Sequence, residues 1–338
     1  MAVNKILILG ASGKGALELS YINAAKELGV EIKIFDPAKE EKKYIKGGSI
    51  GKKVQAFLPV EQWIRKMNRE IVLLAKKFNP DLILLFTNTR VLPGTLACIR
   101  TMNASIKIAW IWPDTPLNLE KHNFLNAPLV DITCTYSSAT IPVFSRLGFP
   151  NVHWVPLAGD LNMHGIDDLR DSFDIDISFV GGWRPEREKV MCIICEHFRN
   201  AKIEIYGPYW KRDCKHPDVK TKIKGEGLYE ADLAAFFNKS RININVIDDT
   251  NFPAANMRFF EVSAAGGLQL ASACPEQEEV FFHREHILYF KSEENIISEI
   301  EWALSHPVEC SLIRSNAHNL LKSSQTYTHR LKYIINNV

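Results

Sequence analysis

Arg258 and Glu261 stand three positions apart in the segment from Asn256 to Gly267. On a helix that spacing puts both side chains on one face. A guanidinium suits a phosphate, and a carboxylate accepts the hydrogen bonds of two ribose hydroxyls. The plain alternative is a surface ion pair, which contributes little. A second group of candidates runs from Val180 to Arg187, where Gly181 and Gly182 lead to Arg184 and Arg187. Glycines at a strand-to-helix turn let a ligand approach the backbone, and two arginines could neutralise a diphosphate. Solvated arginines on a surface turn are the competing reading.

Two further candidates lie in the first half. Gly10, Ser12 and Gly13 sit in a turn from Gly10 to Gly15 whose amides could cradle an anion at a helix start. Its spacing fits neither the P-loop nor the G-x-G-x-x-G fingerprint. Asp36 ends the next strand, where a ribose-binding acid would stand in a dinucleotide fold. This keeps an NAD(P)-dependent oxidoreductase as an alternative. Asp114, just past the run Ile106–Trp112, is placed for a general base, with an ordinary turn aspartate as the plain alternative.

These residues need elements to hold them, and the chain alternates strand and helix patterns. In the first half, apolar runs at Ile6–Gly10, Glu31–Phe35, Asp81–Phe86, Ile106–Trp112, Ile132–Tyr136 and Val152–Val155 read as strands. Helices are expected from Lys14 to Leu28, from Val60 to Phe78, and near Gly94–Met102 and Ala139–Leu147. Residues 158–174 read as a linker rich in Gly, Asn and Asp. The alternation restarts with strands at Ile175–Gly181, Lys202–Tyr206, Ile242–Ile247, Leu268–Ser272 and Ile287–Phe290. The expected fold is α/β: two doubly wound Rossmann-like domains facing across a cleft, at residues 1–157 and 175–325. A last helix at 326–338 is expected to pack back toward the first domain.

Composition bounds the function. The 338 residues are 46% hydrophobic and 24% charged, as in ordinary globular chains. A net charge of +2 gives no nucleic-acid footprint. No apolar run is long enough to span a membrane, and the N-terminal segment does not read as a signal peptide, so the cytoplasm is the expected location. The seven cysteines form no disulfide framework. Cys192, Cys195 and His197 have a metal-like spacing, but they sit in a helical pattern and no second pair follows, so no metal site is expected.

The second half resembles the CgeB-like (spore maturation) glycosyltransferases within the wider GT-B group. The resemblance rests on Phe179-Val180-Gly181 with Arg187, on Ile205-Tyr206-Gly207 with Trp210, and on the turn from Gly225 to Tyr229. It continues through Ile242 to Asn245, the Arg258, Phe260, Glu261, Ala264 and Gly266 signature, and Thr326, Tyr327 and Arg330. The first half matches more weakly, through Asn79-Pro80-Asp81, the Trp112–Asp114 turn and Val155 to Ala158. The resemblance implies transfer of a sugar from a nucleoside diphosphate, with UDP as the expected nucleotide, to a glycan or protein acceptor. No cofactor or metal is implied. Glu261 would hold the ribose, and Gly225, Leu228 and Tyr229 would meet the base. Arg187 and Arg258 would face the diphosphate, with Gly181, Tyr206, Asn245 and Gly266 completing the donor site. Related retaining enzymes carry a second glutamate eight positions before the ribose glutamate, where this chain has Pro253. A non-catalytic nucleotide-sugar-binding module is therefore a further alternative.

Overall fold

The computed structural model describes residues 3–57, 60–87, 89–166 and 169–338. The chain divides into two compact units, Met1–Pro156 with Thr328–Val338, and Leu157–Tyr327. Two six-stranded sheets of wholly parallel pairs carry them, the pattern of doubly wound Rossmann-like folds.

In the first unit the strands are β1 (Lys5–Leu9), β2 (Glu31–Phe35), β3 (Leu82–Phe86), β4 (Lys107–Trp112), β5 (Ile132–Thr135) and β6 (Val152–Trp154). Their order is β2-β1-β3-β4-β5-β6, so the winding reverses between β1 and β3. The helices are α1 (Leu17–Glu27), α2 (Pro37–Glu41), α3 (Gly48–Phe57), α4 (Glu61–Phe78), α5 (Pro93–Met102), α6 (Lys121–Asn126) and α7 (Ile141–Arg146). β1, β3 and β4 are buried almost throughout because helices cover both faces. Their inner residues join Met67, Ile71 and Phe78 of α4 in one core. α4 ends as its sequence requires: Asn79 adopts a left-handed conformation before Pro80 and its N–H reaches the Ala75 carbonyl.

In the second unit α8 (Leu161–His164) comes first. The segment read as a linker is thus folded into this unit, with Asp160 capping α8 and Gly159 bridging to Thr326. Asp167 and Asp168, also assigned to that linker, lie outside the described residues. The strands are β7 (Ile175–Val180), β8 (Ile203–Tyr206), β9 (Ile223–Gly225), β10 (Ser240–Asn245), β11 (Gln269–Ser272) and β12 (Leu288–Phe290). Their order, β12-β11-β10-β7-β8-β9, reverses between β7 and β10. The helices are α9 (Pro185–His197), α10 (Trp210–Asp213), α11 (Pro217–Lys222), α12 (Glu230–Asn238), α13 (Met257–Ala264), α14 (Pro275–Glu278), α15 (Glu293–Ser305) and α16 (Pro307–Ser324). The final helix, α17 (Tyr327–Asn337), belongs mostly to the first unit, where Arg330 Nε donates to the Pro156 carbonyl at 3.0 Å.

Arg314 of α16 ties the second unit together. Its buried guanidinium donates to the carbonyls of Gly266 and Arg170 and to the Asn238 side chain, at 2.7, 2.7 and 3.0 Å. Gly266, placed in the donor site by resemblance, serves here as the helix stop. Its φ of +63° closes α13, with the Gly267 N–H on the Val262 carbonyl, and a side chain at 266 would run into Leu169.

Candidate functional site

In an open parallel sheet, ligands bind beyond the carboxyl ends of the strands, where the winding reverses. In the second unit that point lies between β7 and β10, and the sequence puts Val180-Gly181-Gly182 there. Gly181 donates to the Tyr206 carbonyl at 2.9 Å and accepts from the Trp210 indole at 2.7 Å. Gly207, at φ +155°, lets β8 pass close to this turn: a Cβ on it would stand 1.8 Å from the Gly181 oxygen. Gly207 in turn donates to the Gly225 carbonyl, bringing the next predicted residue alongside. Tyr206 packs edge-on against Phe236, and Leu228 packs on the same small core as Val180 and Val262. The Tyr229 ring is exposed, at the position that precedes α12.

Two arginines converge on this turn. Arg187, on the first turns of α9, donates to the Gly182 carbonyl and to Asp248 Oδ2, both at 2.9 Å. Its Nε is buried and has no partner. Burial holds this guanidinium below its usual pKa, Asp248 opposes that, and Arg184 and Arg258 add to it. Arg258, on α13, donates from Nε to the Val180 carbonyl at 3.1 Å and pairs through Nη1 with Glu261 Oε2. The other Glu261 oxygen lies 3.9 Å from His164 Nε2. Gly181, Arg187, Tyr206, Gly225, Leu228, Arg258 and Glu261 are therefore assembled around the carboxyl ends of one sheet. Chemically this is a glycine turn approached by two guanidiniums, each paired with a buried carboxylate, Asp248 or Glu261.

Asn245 has another task. Its side-chain amide is taken up by Asn256 Oδ1 and Gln269 Oε1, at 3.0 and 2.8 Å, and its oxygen accepts from Asn256. Asn256 caps α13 through the Phe259 N–H. Asn245 thus fixes where the helix carrying Arg258 and Glu261 begins, and its polar atoms are spent on that.

Two contributors were not legible in the sequence. One is Asp248, in the segment that follows β10. It holds a turn through Thr250 and Asn251, but it is also buried and anchors Arg187. Burial raises its carboxyl, yet hydrogen bonds from Thr250 and Asn251 and the charge of Arg187 outweigh this and hold it low. His164 reads as linker. It is buried beside Glu261, and its Nδ1 has no partner. Burial lowers its pKa, against the pull of Glu261 and Asp160. Proximity of 164 to 261 depends on the tertiary fold, and no local spacing signals it.

In the first unit the Gly10–Gly15 loop differs from the expected anion cradle. α1 begins at Leu17, beyond the loop, so the glycines do not open directly onto a helix. The Ala11 N–H is taken by Glu18 Oε1 at 2.6 Å, and the Ser12 N–H and hydroxyl by Asp36 Oδ2 at 2.9 and 3.0 Å. Two carboxylates occupy donors that a phosphate would need. Asp36 also caps α2 through the Lys39 N–H. Beside this loop, at the reversal between β1 and β3, is a cavity of about 500 Å³ lined by Gly10, Glu18, Glu41, Gln55, Thr87 and Arg90, among others. Glu41 is fixed there by Arg90 and Gln55. Burial raises the Glu18 carboxyl, opposed by the Ala11 N–H, with Asp36 adding to the rise. Asp114 forms a local turn: Oδ1 accepts from the Thr115 N–H and Oδ2 from Asn118, both at 2.7 Å.

Among the described residues no three His, Cys, Asp or Glu side chains are grouped to hold a metal ion. Cys192 and Cys195 are free thiols, and His197 pairs with Glu301. No described helix is long and apolar enough to cross a membrane.

Residues 187–336 match the family described as glycosyl transferase-like. No curated protein matches the chain in sequence. Among solved structures, a glycosyltransferase from Rickettsia africae is similar over 99% of this chain and 98% of its own, with a TM-score of 0.68 at 13% identity. HepE from Anabaena, solved with UDP and glucose, is similar over 99% of both chains, with a TM-score of 0.64 at 14% identity. Sucrose-phosphate synthase from Thermosynechococcus elongatus is similar over 98% of both chains, with a TM-score of 0.62 at 11% identity. Residues 187–336 thus match a glycosyl transferase-like family, and the chain has the fold of the GT-B glycosyltransferases to which it is similar.

Proposed function

We propose that the chain is a CgeB-like enzyme that transfers a sugar from a UDP-linked donor to a hydroxyl of a glycan or protein acceptor, acting in the cytoplasm. The observation that carries this is the convergence of Arg187 and Arg258 on the Gly181-Gly182 turn, with Glu261 behind them. HepE, of similar fold, was solved with UDP and with UDP-glucose. In this reading the C-terminal unit holds the donor. The diphosphate lies against the turn and the two guanidiniums, Glu261 takes the ribose hydroxyls, and the base lies along Gly225 to Tyr229. The acceptor belongs to the N-terminal unit, with the cavity lined by Gly10, Glu18, Glu41 and Arg90 as its pocket and Ser12 and Gly13 further along the same loop.

The chemistry follows from the charges. The bond from the anomeric carbon to the diphosphate breaks, and the acceptor oxygen bonds to that carbon. The nucleoside diphosphate leaves with the electron pair, and the acceptor proton passes to a carboxylate, for which Asp114 is the candidate. Negative charge grows on the leaving group, where fixed cations and backbone N–H groups in a desolvated site are most effective. No metal is required for this stabilisation.

The test is turnover of labelled UDP-sugars, followed by release of UDP. Arg187→Ala is expected to lower turnover by about a hundredfold, the loss typical of removing one donor to a developing oxyanion. Asp114→Asn is expected to lower turnover while leaving donor affinity intact. Unchanged turnover in Arg187→Ala would remove the assignment. Pro253, where retaining relatives have a second glutamate, favours one other reading, a binding module without chemistry. That reading predicts UDP-sugar binding with no release of UDP.

A further inference from the structure

Helix α3 is amphipathic in the wrong sense for a core-packing helix. Its inward positions are Gly51 and Gln55, both buried, and Gln55 is held by Glu41. Its apolar residues face solvent: Ile50 is 73% exposed, Val54 43% and Phe57 84%. They stand at i, i+4 and i+7, within about 60° of one another around the helix axis. A surface helix ordinarily turns such a stripe toward the core.

Lysines crowd the sequence before and along α3. Lys39, Lys42, Lys43, Lys46, Lys52 and Lys53 are all exposed. The two acids among them are engaged, Glu40 with Lys43 and Glu41, buried, with Arg90. Six lysines and two glutamates in residues 39–53 give a local charge of 6 − 2 = +4, in a chain whose net charge is +2. An apolar stripe belted by lysines is what seats a helix in the headgroup layer of an anionic bilayer, the lysines meeting phosphates and the apolar side chains the acyl boundary. A second copy of this chain is a poorer occupant, because a two-fold contact would set one lysine belt against another.

We propose that α3 and the lysine-rich turn before it dock the protein on the surface of an anionic lipid bilayer. Ile50, Val54 and Phe57 enter the acyl boundary, and Lys43, Lys46 and Lys53 meet the headgroups. Lys52 and Gln55 of the same helix line the cavity of the first unit, so docking brings that cavity to the lipid surface. The inference is independent of the donor chemistry, and its failure would leave the transferase reading untouched.

The test is cosedimentation of the full chain with vesicles of phosphatidylcholine alone or mixed with phosphatidylglycerol. The expected result is binding to the mixed vesicles only, weakened by salt. The double variants Ile50→Ser/Phe57→Ser and Lys46→Ser/Lys53→Ser should each bind about tenfold more weakly or worse. Absent binding to the mixed vesicles, equal binding to both vesicle types, or binding unaffected by these variants would overturn the proposal. So would a dimer in sedimentation velocity that dissolves in Ile50→Ser/Phe57→Ser, since the stripe would then be covered by a second copy.

Discussion

At the residue scale, the site depends on how few polar groups carry several duties. Asp248 holds both its own turn and Arg187. Asp248→Asn keeps the shape but removes the charge that anchors Arg187, so donor affinity should fall by about tenfold, the worth of one charge-assisted hydrogen bond; unchanged affinity by calorimetry would show that Arg187 is placed by Gly182 alone. His164 makes a pH prediction. Its folded pKa is depressed by burial, so on acidification the unfolded imidazole binds a proton before the folded one does. Stability should therefore decline as pH falls below about 6.5. Asp248 and Glu188, also held low, lose their contribution only below about pH 4. In thermal melts between these limits, His164→Gln should decline less steeply than the parent; parallel curves would contradict the assignment.

At the element scale, what the sequence revealed depended on where each element's information lies. The apolar runs of β1, β3 and β4 are legible because a strand buried on both faces needs continuous hydrophobic residues. The Arg258–Glu261 pair is legible because its spacing is local to α13. By contrast, α3 is hard to read from sequence because it follows Gly47, opens on Gly48 and carries Gly51, all poor helix formers. The start of α1 at Leu17 is also hidden, since the loop before it is ordered by Glu18 and by Asp36 from a different strand. Placement of the site turns on close backbone approach at Gly207. A side chain there would strike the Gly181 carbonyl, a backbone atom that cannot swing aside. Gly207→Ala should destabilise the second unit by about 3 kcal/mol or more, in line with strained and overpacked substitutions. Urea melts would check this, and a loss below about 1 kcal/mol would show that β8 shifts without cost.

At the scale of the whole molecule, each unit repeats one plan: a parallel sheet, one reversal of winding, and a site beyond the strand ends at that reversal. The plan was readable from alternating strand and helix patterns. The contents of the two reversals were less so, because they depend on which distant side chains arrive there. In the first unit Glu18 and Asp36 fill the glycine loop with carboxylates, whereas in the second two guanidiniums, Arg187 and Arg258, donate to the carbonyls of the turn. On that contrast we propose that the anionic donor binds the second unit. The most direct test is calorimetric titration of the protein with UDP, GDP, dTDP, ADP and NADH, alongside Glu261→Ala. The account predicts selective binding of UDP, weakened by about tenfold or more in Glu261→Ala, which loses charge-assisted hydrogen bonds to the ribose. Binding of NADH alone, or UDP binding indifferent to Glu261→Ala, would contradict it.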